Sequence, residues 1–202
     1  MMTQVTLLLI CMLFPQAWSL NCYECVLGIT NCQEKSCPDK CLTATTSVYV
    51  DNTKISDVNI QSCSTADSCI SGSMNLGKMK VTNNGKCCST PLCNTEKLPA
   101  LQRQSVNGRM CYTCDDKGCY GTVNCEGDED RCISLTVQQG SNALSMKGCV
   151  SKSFCVASGS ASTPGLGVSN IQCCDGNLCN GAESYKLSFL LMLVPLLSSI
   201  LF

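Results

Sequence analysis

Cys87-Cys88-Ser89-Thr90-Pro91-Leu92-Cys93-Asn94 and Cys173-Cys174-Asp175-Gly176-Asn177-Leu178-Cys179-Asn180 are the two stretches on which the reading of this chain turns. Each is a Cys-Cys pair, four intervening residues, and Cys-Asn. Upstream of each stands a Cys-x-x-Cys, as Cys22-Tyr23-Glu24-Cys25 and as Cys111-Tyr112-Thr113-Cys114. Between these landmarks the spacings repeat. Five residues separate Cys63 from Cys69 and Cys149 from Cys155, and seventeen separate Cys69 from Cys87 and Cys155 from Cys173. The first half holds Cys22, Cys25, Cys32, Cys37, Cys41, Cys63, Cys69, Cys87, Cys88 and Cys93. The second holds Cys111, Cys114, Cys119, Cys125, Cys132, Cys149, Cys155, Cys173, Cys174 and Cys179. Self-similarity of this kind is the mark of a duplicated domain. The gaps that differ, such as that between the fifth and sixth cysteines, belong in loop tips, where added length costs little.

The compartment follows from the cysteines and from the two ends. With 21 cysteines in 202 residues, the chain falls among disulfide scaffolds, which persist only in oxidising surroundings. The apolar run Val5–Phe14, followed by Ala17-Trp18-Ser19, has the form of a secretory signal peptide over residues 1–19, although no Lys or Arg precedes it. The apolar tail Leu187–Phe202 is shorter than the roughly 20 residues a spanning helix needs, and it contains Pro195. Small residues Asn180-Gly181-Ala182 and a polar spacer precede it, the pattern of a glycosylphosphatidylinositol (GPI) attachment signal over residues 181–202. Asn180 fits best as the lipidated residue, with Gly181 and Ser184 as alternatives. Removal of both ends takes away Cys11 and leaves an even set of cysteines, which reads as structural.

Residues 20–94 and 110–180 are thus expected to be two domains, joined by a mostly polar linker at 95–109 that contains Pro99 and Gly108. Arg103 and Arg109 read as residues that keep this linker solvated, with cleavage by trypsin-like proteases the alternative. The coarse secondary structure is β. Leu42–Val50 and Ile55–Gln61 flank the polar turn Asp51–Lys54, and Ile133–Gln138 and Ala143–Met146 flank Gln139–Asn142. Asn83-Asn84-Gly85 reads as a further turn, and no helical apolar period stands out. Outside the two ends the aromatic residues are Tyr23, Tyr49, Tyr112, Tyr120 and Phe154. Domains of this size with so few large apolar side chains need covalent staples.

Ten cysteines per domain allow hundreds of pairings, and spacing alone leaves them open. The residues around Leu20-Asn21-Cys22-Tyr23-Glu24-Cys25 and Cys87-Cys88 through Cys93-Asn94, repeated in the second half, resemble the lymphocyte-antigen-6/urokinase-receptor family. The resemblance implies an all-β, disulfide-rich fold of two tandem three-finger domains. It also implies a pairing: Cys22–Cys41, Cys25–Cys32, Cys37–Cys63, Cys69–Cys87 and Cys88–Cys93 in the first domain. In the second it implies Cys111–Cys132, Cys114–Cys119, Cys125–Cys149, Cys155–Cys173 and Cys174–Cys179. Asn94 and Asn180 match the family's terminal asparagine, which secures the chain end by hydrogen bonds. Two domains with full disulfide sets differ from the three-domain urokinase receptor, so urokinase binding does not carry over.

Other chemistries find little support. The chain has no histidine, which excludes Ser-His-Asp and Cys-His arrangements. The paired Cys-x-x-Cys motifs invite a zinc reading, but in a secreted chain every thiol has a partner available. Asp115, Asp116 and the run Glu126, Asp128, Glu129, Asp130 read as solvated loops, with a carboxylate hydrolase or calcium site as the alternative. A net charge of -1 without a basic stripe argues against nucleic acid. No catalytic, cofactor or metal set is expected. The expected function is recognition of an extracellular protein ligand or receptor through the finger loops of a GPI-anchored surface protein, with shed or secreted forms also allowed. The candidate contact segments are Val48–Ile55 and Val156–Ser169, with Tyr49 as the anchor. The alternative is a soluble inhibitor or modulator resembling the serum phospholipase inhibitors.

Overall fold

The computed structural model of the chain describes residues 19–25, 32–66, 69–139, 142–158 and 168–181. The signal segment through Trp18, Ser184 and the apolar tail lie outside these residues, as does most of the Val156–Ser169 segment. The first repeat contributes three hairpins. They are β1 (Leu20–Glu24) with β2 (Gln33–Cys37), β3 (Lys40–Val50) with β4 (Thr53–Ser64), and β5 (Gly72–Asn75) with β6 (Met79–Cys88). The second contributes β7 (Val106–Asp115) with β8 (Gly118–Glu126), then β9 (Arg131–Gln139) with β10 (Asn142–Val150), and lastly a short helix α1 (Lys152–Ser158) and β11 (Val168–Cys174). The architecture is all-β, two tandem three-finger domains stapled by disulfides.

By contacts the chain divides into two compact units. The first comprises the described residues among 1–44, 59–69 and 86–97. Its core is made of cystine sulfur rather than aliphatic side chains: Cys22, Cys37 and Cys41 are buried, with Leu20, Cys63, Cys88 and Cys93 packed around them. Disulfides join Cys22 to Cys41, Cys25 to Cys32, Cys37 to Cys63, Cys69 to Cys87 and Cys88 to Cys93. β1 and β2 pair antiparallel from Leu20↔Cys37 to Glu24↔Gln33, and Cys25 bridges to Gln61. The end of the unit is closed by Asn94, which is fully buried. Its amide accepts from Tyr23 N at 2.9 Å and donates to Tyr23 O at 2.9 Å and Leu42 O at 3.0 Å. A carboxamide suits this place because it offers an acceptor and two donors to backbone groups that would otherwise be orphaned.

The second unit holds the described residues among 45–58, 70–85 and 98–202, so it takes in finger segments of the first repeat along with the whole second repeat. Disulfides join Cys111 to Cys132, Cys114 to Cys119, Cys125 to Cys149, Cys155 to Cys173 and Cys174 to Cys179. Asn180 repeats the role of Asn94: Tyr112 N donates to it at 2.9 Å, and its amide donates to Tyr112 O at 3.0 Å and Ile133 O at 2.9 Å. The leucine two residues before each of these asparagines, Leu92 and Leu178, sits in the left-handed region at φ 55° and 57°. Each turns its amide back, to Asn21 O at 2.7 Å and to Met110 O at 2.8 Å. A seven-stranded sheet has the order β11-β9-β10-β5-β6-β3-β4, and its join between repeats is the pairing of Cys149 with Asn75 and Val150 with Met74. Here an aliphatic core exists, of Leu76, Ile133, Leu135 and Val150, with Met74, Met79, Val137, Met146 and Phe154 against it.

Two expectations about elements need correction. Asn83-Asn84-Gly85 is not a turn but lies inside β6, and the β5–β6 reversal falls at Leu76–Lys78, where Gly77 takes φ 86°. Asn83 is kept in the strand by its side chain, which accepts from Thr46 Oγ1 at 2.8 Å and donates to Ile70 O at 2.6 Å. The unforeseen element is α1, seven residues long. So short a helix shows no apolar period and would not stand alone. It is held by Phe154 against the core, by the Cys155–Cys173 bond, and by Asp130, whose carboxylate accepts from Lys152 N at 3.0 Å.

Candidate binding surface

Tyr49 lies at the end of β3, half-buried, just before the two-residue turn Asp51-Asn52. Both turn residues have positive φ, 46° and 66°. This is the turn whose twist matches a β-hairpin, and Asp and Asn tolerate the left-handed conformation it demands. The finger tip is therefore locally rigid. It carries Val50, 37% exposed, and Ile55, 61% exposed. The exposed pair Lys54–Asp57, 2.6 Å apart, stiffens the returning strand, and Ser47 Oγ donates to Asp57 at 2.6 Å. The hydrogen bond from Lys54 and that from Ser47 hold the Asp57 carboxyl below its ordinary value, and the bond to Asp57 raises Lys54.

Beneath this tip the second unit contains a buried charge cluster. Lys80 Nζ is 2.8 Å from Glu126 and 2.7 Å from Glu129, with side-chain exposures of 8%, 9% and 0%. Arg103 forms an ion pair with the other Glu126 oxygen and donates to Asn52 Oδ1 at 2.7 Å. Glu129 is bonded on both oxygens: Ser73 Oγ donates to one at 2.6 Å, and Glu126 N to the other at 2.8 Å. Burial drives the Glu126 carboxyl up, but hydrogen bonds and charge from Arg103 and Lys80 outweigh it and leave the group below its ordinary value. The bond to Glu126 raises the Arg103 guanidinium.

These contacts correct two readings. The run Glu126–Asp130 is not simply a solvated loop, because Glu126 and Glu129 point inward to a lysine and an arginine. Only the exposed Asp128 and, at the finger tip, Asp115 and Asp116 remain as solvated carboxylates. Nor do Arg103 and Arg109 only solvate a linker. Arg103 joins the cluster, Arg109 lies 3.0 Å from Asp175, and Val106–Arg109 already belongs to β7. Lys80 escaped the sequence reading because its partners are remote in the chain; the one local signal was a lysine alternating with Met79 and Val81 on a strand.

The Cys-x-x-Cys sulfurs Cys22, Cys25, Cys111 and Cys114 are all disulfide-bonded in the structure. The sulfurs of Cys111, Cys125 and Cys149 crowd together, but each belongs to a disulfide and so offers no thiolate to a metal. Among the candidate lipidation residues, Asn180 is 5% exposed and engaged as described, and Gly181 O accepts from Lys147 Nζ at 2.7 Å.

The family model for the u-PAR/Ly-6 domain matches residues 18–96 and 107–182. The chain is 24% identical over 185 residues to the urokinase plasminogen activator surface receptor of Rattus norvegicus, a match covering 83% of this chain and 56% of the receptor. It is 29% identical over 104 residues to the receptor of Bos taurus, covering 47% of this chain and 32% of the receptor. It therefore spans between a third and a little over half of the length of these receptors. It is also 30% identical over 169 residues to phospholipase A2 inhibitor NAI of Notechis ater, covering 73% of this chain and 84% of the inhibitor. With two domain matches that span nearly all of the described residues, this chain belongs to the u-PAR/Ly-6 domain family.

Proposed function

We propose that this chain is a recognition protein of the cell surface, GPI-anchored, that binds an extracellular protein ligand or receptor through its finger tips and performs no catalysis. The observation that carries the reading is the β3–β4 tip. Tyr49, Val50 and Ile55 present a mixed aromatic and aliphatic surface on a rigid hairpin, which a folded monomer gains nothing by exposing. Likeness to urokinase receptors supports the same class of function. Exchange of Tyr49 for Ala is expected to weaken partner binding at least tenfold without altering disulfide formation, and unchanged affinity would refute its role as anchor.

Attachment of a lipid at Asn180 would end the chain at a residue whose side chain is committed to Tyr112 and Ile133. Attachment at Gly181 adds a single residue of slack, and attachment at Ser184 adds a few more. The bonding of Asn180 therefore favours Ser184. Phosphatidylinositol-specific phospholipase C applied to intact cells expressing the full chain tests the anchor. Release is the expected result, while retention beside a released anchored control would indicate a membrane span. The second reading, a soluble inhibitor, is favoured by the match over 84% of the phospholipase inhibitor's length. Protein in the medium before any treatment would bring that reading forward.

A further inference from the structure

Tyr49 also lines a cleft of about 220 Å³ within the second unit, shared with Asn52, Asn75, Asn124, Val106 and Val123. Its floor carries Lys80, Arg103 and Glu126, whose charges are already matched among themselves and with Glu129. Neither an anion nor a cation finds an uncompensated countercharge there. Lys78 stands at the rim, 74% exposed and 4.0 Å from Asp116. The groups that have capacity to spare are neutral. Asn75 is 5% exposed, and its Oδ1 accepts from Gly77 N at 3.1 Å. The carboxamide of the exposed Asn124 and the hydroxyl of Tyr49 make no hydrogen bond among the described residues, and Asn52 commits only its oxygen, to Arg103.

The cleft thus offers amides and a phenol, each able to donate and to accept or paired with a neighbour that does, beside an aromatic ring and two valines. Its ligand must alternate hydroxyl groups with an apolar C–H face. The volume lies below the roughly 300–1,000 Å³ of pockets for drug-sized molecules, which limits the occupant to about one ring. We propose that this cleft is a binding site for a single neutral pyranose unit, such as the terminal residue of a glycan. The inference does not depend on the protein-ligand reading: Asn124 tests this site, and Tyr49→Ala tests that one.

The full chain purified from animal cells would be examined by saturation-transfer NMR against methyl glycosides of glucose, galactose, mannose, fucose, N-acetylglucosamine and N-acetylgalactosamine, with a sialoside as the charged probe. At least one neutral glycoside is expected to bind, and Asn124→Ala, at an exposed position that leaves the fold intact, is expected to weaken it about tenfold. Tyr49→Phe keeps the ring and removes the hydroxyl, and it should weaken the same glycoside in the same direction. Absence of binding by every neutral glycoside, binding of the sialoside alone, or binding that neither variant changes would overturn the proposal.

Discussion

Glu129 is fully buried, and Lys80, the Ser73 hydroxyl and the Glu126 amide surround its carboxyl group. Desolvation of a carboxylate and an ammonium is costly, so the pair adds little net stability over an apolar equivalent, yet removal of one member strands the other. Glu129→Gln is therefore expected to cost about 3–5 kcal/mol in urea unfolding of the oxidised chain, and Lys80→Met together with Glu129→Gln should recover most of that loss. Equal losses in the single and double variants would show that packing, not charge, governs the site. Glu126 adds a pH dependence. Its carboxyl binds a proton less readily folded than unfolded, so its contribution is complete above the ordinary value of 4.5 and is lost as pH falls below that through the lowered folded value. Unfolding midpoints should decline on acidification across that window, and Glu126→Gln should flatten the profile there. The exposed pairs Lys35–Glu24 and Lys54–Asp57 are in solvent, where screening leaves them little weight in stability.

At the scale of elements, the join of β10 to β5 depends on Gly148. A Cβ there would press well inside contact distance of the Asn75 carbonyl and within 2.9 Å of the Leu76 Cα. Gly148→Ala must push the two strands apart, at a cost of about 1–3 kcal/mol. Gly108 offers the contrast, since a Cβ there meets nothing within 4 Å and only its φ of 87° resists substitution. Hydrogen exchange separates the two: amides in β5 and β10 should exchange faster in Gly148→Ala and not in Gly108→Ala. What the sequence made legible at this scale was local. The turn read at Asp51–Lys54, which narrows to Asp51-Asn52 in the structure, the strands on either side of it and the paired cysteine spacing all rest on residues near one another. Asn83-Asn84-Gly85 misled because turn residues also serve a strand when a backbone carbonyl 13 residues away and a hydroxyl 37 residues away take up the Asn83 side chain's hydrogen bonds. The close approach at Gly148, the burial of Glu129 and the cleft of Asn75 and Asn124 bring distant residues together, and no local pattern records them.

Across the whole molecule, the repeat visible in the cysteines is not the division found in the packing. The aliphatic core of the second unit includes Leu76, a first-repeat residue 5% exposed, set against Ile133, Leu135 and Val150 of the second repeat. The antiparallel pairing of strands β5 and β10 adds backbone hydrogen bonds to that junction. The second repeat thus completes its core with a side chain it does not encode, whereas the first unit relies on cystines that survive any loss of packing under oxidising conditions. Truncation of Leu76 should accordingly be felt in the second repeat. Leu76→Ala removes buried methyl groups and leaves a cavity beside Ile133, so a loss of about 2–5 kcal/mol is expected. The informative probe is hydrogen exchange in β9 and β10, read with all disulfides intact. Accelerated exchange at Ile133, Leu135 and Val150 in Leu76→Ala would show that the fingers of one repeat and the body of the other open together. Unchanged protection there, with faster exchange confined to β5 and β6, would mean that each repeat keeps its own core and that the shared sheet adds nothing to cooperativity.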